Sequence, residues 1–289
     1  MADPSPSRTA SRAVLITGCS TGIGRATAQH LAARGWTVYA TARRLEAIAE
    51  LESAGCRTLP LDVGDEASMQ AAVDAVTEAE GAVGVLVNNA GYSQSGAVEE
   101  VAPERVRAQF ETNVFGLLRM SQLVLPGMRA QRWGKVVNIG SMGGRFTFPG
   151  GGIYHATKYA VEALSDAMRF EVKGFGVDVV LIEPGIIRTQ FAETAVAGLP
   201  EGQGSDGPYA EFNATVAKAT RDVYEKGPMA KLGGGPEAVA QVVERAISAR
   251  RPKARYPVTA SARLLITQSG LMPDRAWDAM LRTQFPQPR

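Results

Sequence analysis

The sequence of 289 residues has 31 lysine and arginine residues against 29 aspartate and glutamate residues, so its formal net charge is only +2. Because this charge is nearly balanced and the basic residues are scattered, we exclude a nucleic-acid-binding stripe. A hydrophobic fraction of 45% is enough for a sizeable core, and the two cysteines, Cys19 and Cys56, do not indicate a disulfide framework.

The first segment, residues 1–12, is polar and lacks the apolar core of a signal peptide, so we expect a short disordered tail there. No apolar run in the sequence is long enough to cross a bilayer, so we predict no transmembrane segment. Together with the low cysteine content, these features favour a reduced, cytoplasmic setting.

From residue 13 onward, apolar runs alternate with amphipathic helical runs. Strands are predicted at residues 13–18, 36–42, 56–63, 84–91, 135–141 and 177–185. Helices are predicted at residues 23–33, 44–54, 65–80, 103–131 (with the option of a break near Pro126) and 153–173. Such apolar strands, alternating with helices, are typical of an α/β fold with a doubly wound parallel sheet, which binds ligands at the carboxyl ends of its strands.

The pattern becomes irregular over residues 186–235, apart from a helix predicted at 209–225. An insertion of this length is either a functional lid or a tolerated surface segment. A helix at 236–249 and a short strand at 254–258 complete a predicted single domain over 13–260. Residues 261–289 are interpreted as a helical extension of the same domain, which packs on the body, joins a partner or closes over the site.

Three glycines mark the junction between the first predicted strand and the following helix. Gly18, Gly22 and Gly24 let the backbone turn tightly there and approach a pyrophosphate closely. The helix N-terminus adds free N–H groups and a favourable dipole. A glycine-rich turn in this position predicts a dinucleotide-binding site.

Tyr154 and Lys158 lie four positions apart in a predicted helix, and therefore on one face of it. We expect the Lys158 ammonium to lie near the Tyr154 hydroxyl and to lower its pKa, because a nearby cation favours the phenolate. A phenol made more acidic in this way is able to act as an acid or base near neutral pH. Alone, this spacing is common by chance, and the alternative is a packed tyrosine beside a solvated lysine.

Several motifs, taken in order, resemble the short-chain dehydrogenase/reductase family in its single-domain, Rossmann-type form. The resemblance covers about residues 13–260 and comprises the T-G-x-x-x-G-x-G turn from Thr17 to Gly24, DV at 62–63, NNAG at 88–91, Asn113, Ser141, Tyr154, Lys158, and EPG at 183–185 with Thr189. Each motif is only moderately specific, but the ordered set is very specific. It favours a catalytic reading of Tyr154 and Lys158.

The resemblance implies a role for each catalytic residue. Ser141 would hold the substrate oxygen, and Tyr154 would give a proton to it or take one from it. Lys158 would acidify Tyr154 and bind the nicotinamide ribose, while Asn113 would hold a water that links Lys158 to solvent. No residues have metal-ligand spacing, so no metal is predicted. The predicted cofactor-binding residues are Gly18, Ser20, Thr21, Gly22, Ile23, Gly24, Arg43, Arg44, Asp62, Val63, Asn89, Ala90, Gly91, Tyr154, Lys158, Pro184, Gly185, Ile187 and Thr189.

The end of the second predicted strand, YATARR, bears on the choice of cofactor. An NAD site usually presents an acidic residue there to the adenine ribose, whereas this sequence has Arg43 and Arg44. Arginine matches a ribose phosphate with forked hydrogen bonds, so we predict NADP(H). Arg43 is the better candidate, because the NADP-preferring branch of the family carries an arginine at the matching place.

The predicted substrate cleft has a largely apolar lining, which favours a lipophilic ketone, aldehyde or secondary alcohol. The sequence resembles, more loosely, hydroxysteroid and retinol dehydrogenases, so a carbonyl reductase or alcohol dehydrogenase is expected. His155 is interpreted as structural or as a residue of the cleft edge and not as a base, and Phe146 and Phe212 are further candidates for the lining. The predicted substrate residues are Gln94, Ser141, Met142, Gly143, Phe148, Tyr154 and Phe191.

Two other functions stay open at this point. A cofactor-binding sensor or scaffold without catalysis would need no Tyr154 or Lys158, and both are present. An epimerase or dehydratase of the longer branch of the family would show a T-G-x-x-G-x-x-G turn, which this sequence lacks. The resemblance also implies a homodimer or homotetramer that forms through the helices predicted at 103–131 and 153–173.

Overall fold

A parallel sheet of seven strands forms the centre of the computed structural model, which describes residues 10–199, 207–285 and 287–288. The strands of this described part are β1 (Val14–Ile16), β2 (Val38–Ala42), β3 (Arg57–Pro60), β4 (Val85–Asn88), β5 (Gly134–Ile139), β6 (Val177–Glu183) and β7 (Arg255–Pro257). They lie side by side in the order β3-β2-β1-β4-β5-β6-β7, and every neighbouring pair is parallel. The strand order reverses between β1 and β4, which is the point where sheets of this kind bind ligands.

Helices cover both faces of the sheet. Those of the described residues are α1 (Gly22–Ala33), α2 (Glu50–Ser53), α3 (Glu66–Glu80), α4 (Pro103–Phe110), α5 (Leu117–Ala130), α6 (Gly152–Glu171), α7 (Phe191–Ala197), α8 (Ala210–Glu225), α9 (Gly227–Lys231), α10 (Pro236–Ser248), α11 (Ala260–Leu271) and α12 (Asp274–Arg282). This arrangement confirms the predicted doubly wound α/β fold of the Rossmann type.

The core consists of two apolar layers, one on each face of the sheet. Val14 and Ile16 of β1 pack with residues of α1 and α10, whereas Leu15 between them packs with residues of α3, α5 and α6. Successive side chains of a strand point to opposite faces, so a strand that is covered on both sides is apolar at every position. This is why β1 has no alternation of polar and apolar residues.

Two predicted helices differ from the structure. The segment predicted as one helix over 44–54 forms a 3₁₀ turn at Leu45–Ala47 followed by α2. The long helix predicted over 103–131 is interrupted by a π-helical turn at Glu111–Gly116, and α5 continues through Pro126 without a break. Pro126 has no N–H to donate to the Gln122 carbonyl. Both residues are exposed, so water can donate a hydrogen bond to this carbonyl instead.

The two ends of the described chain lie at opposite ends of the strands, with Ser11 at their amino ends and α11 and α12 at their carboxyl ends. Most of the disordered tail predicted over 1–12 lies outside the described residues, but Ser11 is held in place, since its Oγ donates to the Ala82 carbonyl at 2.6 Å and its N–H donates to Gln131 Oε1 at 2.9 Å. At the other end, α11 and α12 form the helical extension that we predicted. The organisation as one domain over 13–260 stays a prediction.

Within the described ranges, no helix combines the length and the apolar character needed to cross a membrane.

Candidate active site

The turn after β1 has a conformation that requires glycine. Gly18 and Gly22 have φ angles of 73° and 58°, in the left-handed region that favours glycine. A Cβ atom on Gly24 would lie 2.3 Å from the Gly18 carbonyl oxygen, so α1 packs against the turn only because Gly24 has no side chain. Asn89, at the end of β4, donates from Nδ2 to the Thr17 and Gly18 carbonyls, both at 2.9 Å, and fixes the turn.

A cavity of about 1020 Å³ opens at the carboxyl ends of the strands and contains this turn. Most of the predicted cofactor residues line it, whereas Gly24 lies behind the turn and Arg44 is exposed outside the cavity. The predicted cofactor residues in the lining are Gly18, Ser20, Thr21, Gly22, Ile23, Arg43, Asp62, Val63, Asn89, Ala90, Gly91, Tyr154, Lys158, Pro184, Gly185, Ile187 and Thr189. The strand ends therefore bring these distant motifs to one continuous surface.

Ser141 and Tyr154 form a hydrogen-bonded pair at the middle of the cavity. Ser141 follows β5 in an extended conformation, and its Oγ also accepts the Gly143 N–H at 3.0 Å. Tyr154 lies in the first turn of α6, and its ring packs edge-on against Phe191 at a centroid distance of 5.3 Å. The two hydroxyl groups are thus held side by side by elements from different parts of the chain.

The pKa of Tyr154 differs from our expectation. Burial raises it to about 12, and the hydrogen bond with Ser141 acts in the opposite direction without offsetting burial. The expected lowering by Lys158 is absent, because the Lys158 ammonium lies 5.8 Å from the centroid of the Tyr154 ring and donates to the Ile139 carbonyl at 2.8 Å. The spacing of four residues placed the two side chains on one face, as predicted, but it did not bring the ammonium into contact with the hydroxyl.

Lys158 is itself a perturbed group. It is buried beside the end of β5, and burial lowers its pKa to about 8. A buried ammonium loses hydration, which favours its neutral form. At neutral pH the group is therefore mostly charged, but it can lose its proton a little above neutrality.

Asn113 lies in the π-helical turn and not in the lining of the cavity. Its Nδ2 donates to the Tyr92 carbonyl at 2.9 Å and to Thr157 Oγ1 at 3.1 Å, and its Oδ1 accepts the Tyr92 N–H at 3.1 Å. The side chain therefore ties the segment after β4 to α6. The predicted role of Asn113 in holding a water stays a prediction.

His155 has the structural contacts that we expected. Its Nδ1 donates to the Gly143 carbonyl at 2.8 Å, and its Nε2 accepts the Phe148 N–H at 3.3 Å. Burial lowers its pKa, so the ring is neutral and both nitrogens have fixed roles. His155 therefore holds the segment 143–148 in place beside Tyr154.

One predicted substrate residue is misplaced, and the others line the cavity. Gln94 is buried outside the lining, where its Nε2 donates to the carbonyls of Ser95 and Gly198. Its amide is satisfied by the backbone of neighbouring segments, so the prediction for Gln94 is wrong. Phe212 also lies outside the cavity and packs on Tyr209. The predicted residues found in the lining are Ser141, Met142, Gly143, Phe146, Phe148, Tyr154 and Phe191.

The distal wall of the cavity comes from the lid and the C-terminal extension. The sequence predicted a lining role for the lid, through Phe191 and Phe212, but not for the other residues of this wall. The amphipathic pattern of these two segments predicted helices, but it did not predict the surface on which the helices pack. The lining residues that were not predicted include Val216, Ala219, Thr220, Val223, Tyr224, Met229, Leu264, Leu265, Gln268, Met280, Gln284 and Phe285. Of the three arrangements left open for the extension, the structure shows packing on the body and closure over the site.

An aromatic cluster docks α12 on the body. The Trp277 ring lies 5.4 Å from Phe146 and 6.1 Å from Phe148 between centroids, and Trp277 Nε1 donates to the Thr147 carbonyl at 3.4 Å. Aromatic pairs at these distances are favourable beyond the area they bury. Since Phe146 and Phe148 also line the cavity, this cluster connects α12 directly to the site.

Comparison with known proteins places this geometry among nucleotide-dependent oxidoreductases. The sequence model of the family described as short chain dehydrogenase matches residues 12–199. An uncharacterized oxidoreductase of Escherichia coli K12, YbbO, is 33% identical over 272 residues, which covers 94% of each chain. The crystal structure of a short-chain dehydrogenase from Streptomyces avermitilis aligns with a TM-score of 0.78 at 35% identity, covering 94% of this chain and 98% of the other.

Two further relatives carry names that describe a reaction. The 3-ketodihydrosphingosine reductase of Bacteroides thetaiotaomicron is 35% identical and covers 93% of this chain and 96% of its own. The NADPH-dependent 3-dehydrocapnine reductase of Ornithobacterium rhinotracheale is 36% identical and covers 92% of this chain and 95% of its own.

Proposed function

The chain belongs to the short-chain dehydrogenase/reductase family and is an NAD(P)-dependent oxidoreductase, and from this premise we propose that it transfers a hydride between NADP(H) and a lipophilic ketone, aldehyde or secondary alcohol. One observation carries the proposal. A single cavity runs from the glycine turn, past the Ser141–Tyr154 pair, to an apolar wall built by the lid and the C-terminal helices.

The residues present fit a dinucleotide. The glycine turn presents bare backbone to the cavity at the N-terminus of α1, where free N–H groups and the helix dipole favour a pyrophosphate. A Cβ on Gly18 would lie 2.9 Å from Ala90 Cα, so the backbone after β4 packs directly against the glycine turn. When bound, the nicotinamide supplies or accepts the hydride.

The pair at the middle of the cavity supplies the proton chemistry. With a pKa of about 12, Tyr154 is protonated at neutral pH and is ready to give its proton to a carbonyl oxygen during reduction. Ser141 donates a hydrogen bond to the same oxygen and holds it beside Tyr154. Lys158, mostly charged at neutral pH, binds the cofactor ribose and stabilises the phenolate that remains on Tyr154 once its proton has been given up. Asn113 orders the water path behind Lys158.

The surroundings of β2 and β3 support NADP(H). Arg43 follows β2, is exposed and lines the cavity. The nearest acidic candidate, Asp62, already accepts the Gly64 N–H at 3.0 Å through Oδ1, so its carboxylate is engaged in its own turn. A guanidinium without a competing carboxylate favours a ribose phosphate over two ribose hydroxyls. The NADPH-dependent relative described above is in line with this preference.

The distal wall supports a lipophilic substrate. Its side chains are predominantly apolar and come from α8, α11 and α12 as well as from the segment 146–149. Ligand pockets of this type are apolar with a few polar groups that fix orientation. Two relatives are named as reductases of a 3-keto and a 3-dehydro compound, so we favour carbonyl reduction as the direction.

We also propose that the protein is a homo-oligomer. Three large apolar side chains are exposed. Phe115, in the π-helical turn before α5, is 51% exposed, and Tyr159 and Phe170, on α6, are 45% and 85% exposed. Apolar side chains grouped in this way mark surfaces that bind another protein. A second copy of the chain would cover them.

Cofactor oxidation tests the proposed reaction. NADPH and NADH are offered to the wild-type protein with ketones and aldehydes that range from small keto esters to steroids. We expect turnover with NADPH that falls about 10²–10⁴-fold in Tyr154→Phe, because general acid catalysis contributes about that much. NADPH binding, followed by its fluorescence, should be retained in the variant. Wild-type protein that binds NADPH but reduces none of these compounds would contradict the proposal.

A further inference from the structure

The lid helix α8 presents one face to the cavity. Val216, Thr220 and Tyr224 are spaced by four residues and all line the cavity, together with Ala219 and Val223. This spacing places them on a single stripe of the helix. Tyr224 is at the C-terminal end of that stripe and lies in the same cavity as Tyr154.

The Tyr224 hydroxyl lacks a partner among the described residues. No described side chain or backbone group hydrogen-bonds to it, although its ring is half-buried in the wall. Burial and the proximity of Tyr154 both raise its pKa, so the phenol keeps its proton at any working pH and serves as a donor. Tyr154 and Tyr224 both line this cavity.

Tyr224 is one of a small number of polar side chains, with Thr220, Gln268 and Gln284, in a distal wall that is mostly apolar. The nearby amide of Gln268 is engaged, since its Nε2 lies 3.5 Å from Met272 Sδ and 3.3 Å from Met280 Sδ. Most other side chains of α8, α11 and α12 in the lining are apolar. A donor that faces the cavity without a protein partner is available to a ligand, and a ligand that accepts its hydrogen bond is favoured over one that cannot.

We propose that Tyr224 is a specificity-determining residue, which donates a hydrogen bond to a second oxygen or nitrogen of the substrate near the reacting carbonyl. The reacting oxygen is already served by Ser141 and Tyr154, so the Tyr224 hydroxyl serves a different atom. The preferred substrates are then lipophilic ketones with a hydroxyl, amino or second carbonyl group beside the ketone. This inference rests on the proposed ketone reduction, and the second polar group is unchanged by the reaction.

Matched pairs of ketones test this inference. The full-length protein reduces 2-nonanone and 1-hydroxy-2-nonanone with NADPH, and kcat and KM are measured for each. We expect wild type to prefer the hydroxyketone about tenfold in kcat/KM, since one net hydrogen bond contributes about this factor. Tyr224→Phe should lose most of this preference through a higher KM for the hydroxyketone, with 2-nonanone changed less than about twofold.

The control variant is Tyr209→Phe, which removes a phenolic hydroxyl at the start of the same helix. The Tyr209 hydroxyl donates to Glu99 at 2.6 Å at the surface, outside the cavity, so this variant should keep the preference. A purely structural role of Tyr224 would lower the rates of both ketones alike, and that result would overturn the inference. An unchanged preference in Tyr224→Phe would overturn it as well.

Binding without turnover separates this inference from the proposed function. Calorimetry in the presence of NADPH, which cannot accept a hydride from an alcohol, should show that wild type binds nonane-1,2-diol about tenfold more tightly than 2-nonanol, and that Tyr224→Phe does not. If the diol is preferred and this preference depends on Tyr224, the inference is supported even when neither ketone is reduced. In that case only the proposed function would have failed. Turnover of both ketones with no dependence on Tyr224 in either measurement supports the function and overturns the inference.

Discussion

Arg43 and Arg44 are neighbours in the sequence, but only Arg43 lines the cavity. Arg44 has left the strand and precedes the 3₁₀ turn Leu45–Ala47, where its side chain is exposed. Two adjacent residues in an extended segment point in opposite directions. The pair therefore provides a test of cofactor preference with an internal control.

Arg43→Ala should weaken NADPH selectively. We expect its KM for NADPH to rise about 10- to 100-fold, because a charge-assisted hydrogen bond to phosphate contributes about 1.5–3 kcal/mol. Its KM for NADH should change less than about threefold, since NADH lacks the ribose phosphate. Steady-state kinetics with both cofactors measures this, and Arg44→Ala is the matched control. Equal losses with NADPH and NADH in Arg43→Ala would refute this assignment.

At the scale of single residues, the sequence was informative about position and less so about environment. The spacing of Tyr154 and Lys158 placed them correctly on one helical face. The spacing carried no information on burial, which depends on residues distant in sequence, such as those of the lid. Burial is what raises the pKa of Tyr154 and lowers the pKa of Lys158. Gln94 was misassigned for the same reason, because its partner Gly198 lies 104 positions away.

At the scale of elements, α12 depends on a small number of contacts with the body. Trp277 packs on Phe146 and Phe148, and both of these side chains line the site. The other face of α12 is largely exposed. Docking of this helix, and with it the closure of the distal wall, therefore depends on Trp277 and on Leu281, which is buried on the same helix.

Trp277→Ala should impair the use of long substrates more than short ones. We expect the KM for 2-nonanone to rise roughly tenfold, since the lost aromatic contacts contribute about 0.5–1.5 kcal/mol each. A small ketone that does not reach the distal wall should be reduced nearly as before. Kinetics with both ketones tests this, and Arg275→Ala, at an exposed position of the same helix, is the control. Identical kinetics of Trp277→Ala and wild type would show that α12 does not shape the site.

The sequence predicted most elements because the periodicity of their apolar residues is local. It did not predict the π-helical turn at Glu111–Gly116, where Asn113 bonds to Tyr92 and Thr157. That turn is stabilised by partners from other segments, which no local pattern contains. Likewise, the amphipathic pattern of α11 and α12 showed that they have an apolar face, but the surface that covers this face is decided by the tertiary fold.

At the scale of the whole molecule, a partly buried ionic network joins α6, β6 and β7. Arg255 of β7 bonds to Glu162 at 3.0 Å and to Asp166 at 2.5 Å, and it lies 3.8 Å from Glu183 of β6. Arg145 also contacts Glu183, at 3.4 Å. Burial and the neighbouring Glu183 raise the pKa of Glu162 to about 7, although Arg255 acts in the opposite direction.

This network predicts a pH dependence of stability. A carboxyl group whose pKa is higher in the folded state than in the unfolded state stabilises the fold below its unfolded pKa, and this contribution is lost as the pH rises through the folded pKa. The unfolded value is near 4.5, so the loss for Glu162 falls between about pH 4.5 and pH 7. Glu162→Gln should remove this pH dependence, which corresponds to a change of about 3 kcal/mol in the free energy of unfolding across that range.

Thermal unfolding between about pH 5 and pH 8 measures this effect. The midpoint of wild type should fall more steeply with rising pH than that of Glu162→Gln, whose amide still accepts the Arg255 hydrogen bond. Glu104→Gln, at a side chain that is 78% exposed, is the control and should follow wild type. Parallel curves for wild type and Glu162→Gln would show that Glu162 is not the titrating group.

The topology of the whole molecule was predictable because alternating apolar strands and helices allow few arrangements of a parallel sheet. The shape of the cavity was not predictable. It depends on how far α8, α11 and α12 lean over the sheet, and thus on contacts such as that between Trp277 and Phe146. Motifs at the strand ends identified the half of the site that binds the cofactor, whereas the other half is built from helices without a recognisable motif.

The opposite placement of the two chain ends decides how this protein is best attached to a solid support. Ser11 is tied to Ala82 and Gln131, which precede β4 and β5, so the N-terminal side emerges at the amino ends of the strands. Phe285 lines the cavity at the carboxyl ends. A tether joined through the N-terminal side therefore leaves the mouth of the cavity facing the solution, whereas one joined beyond Phe285 would crowd the entrance used by the substrate.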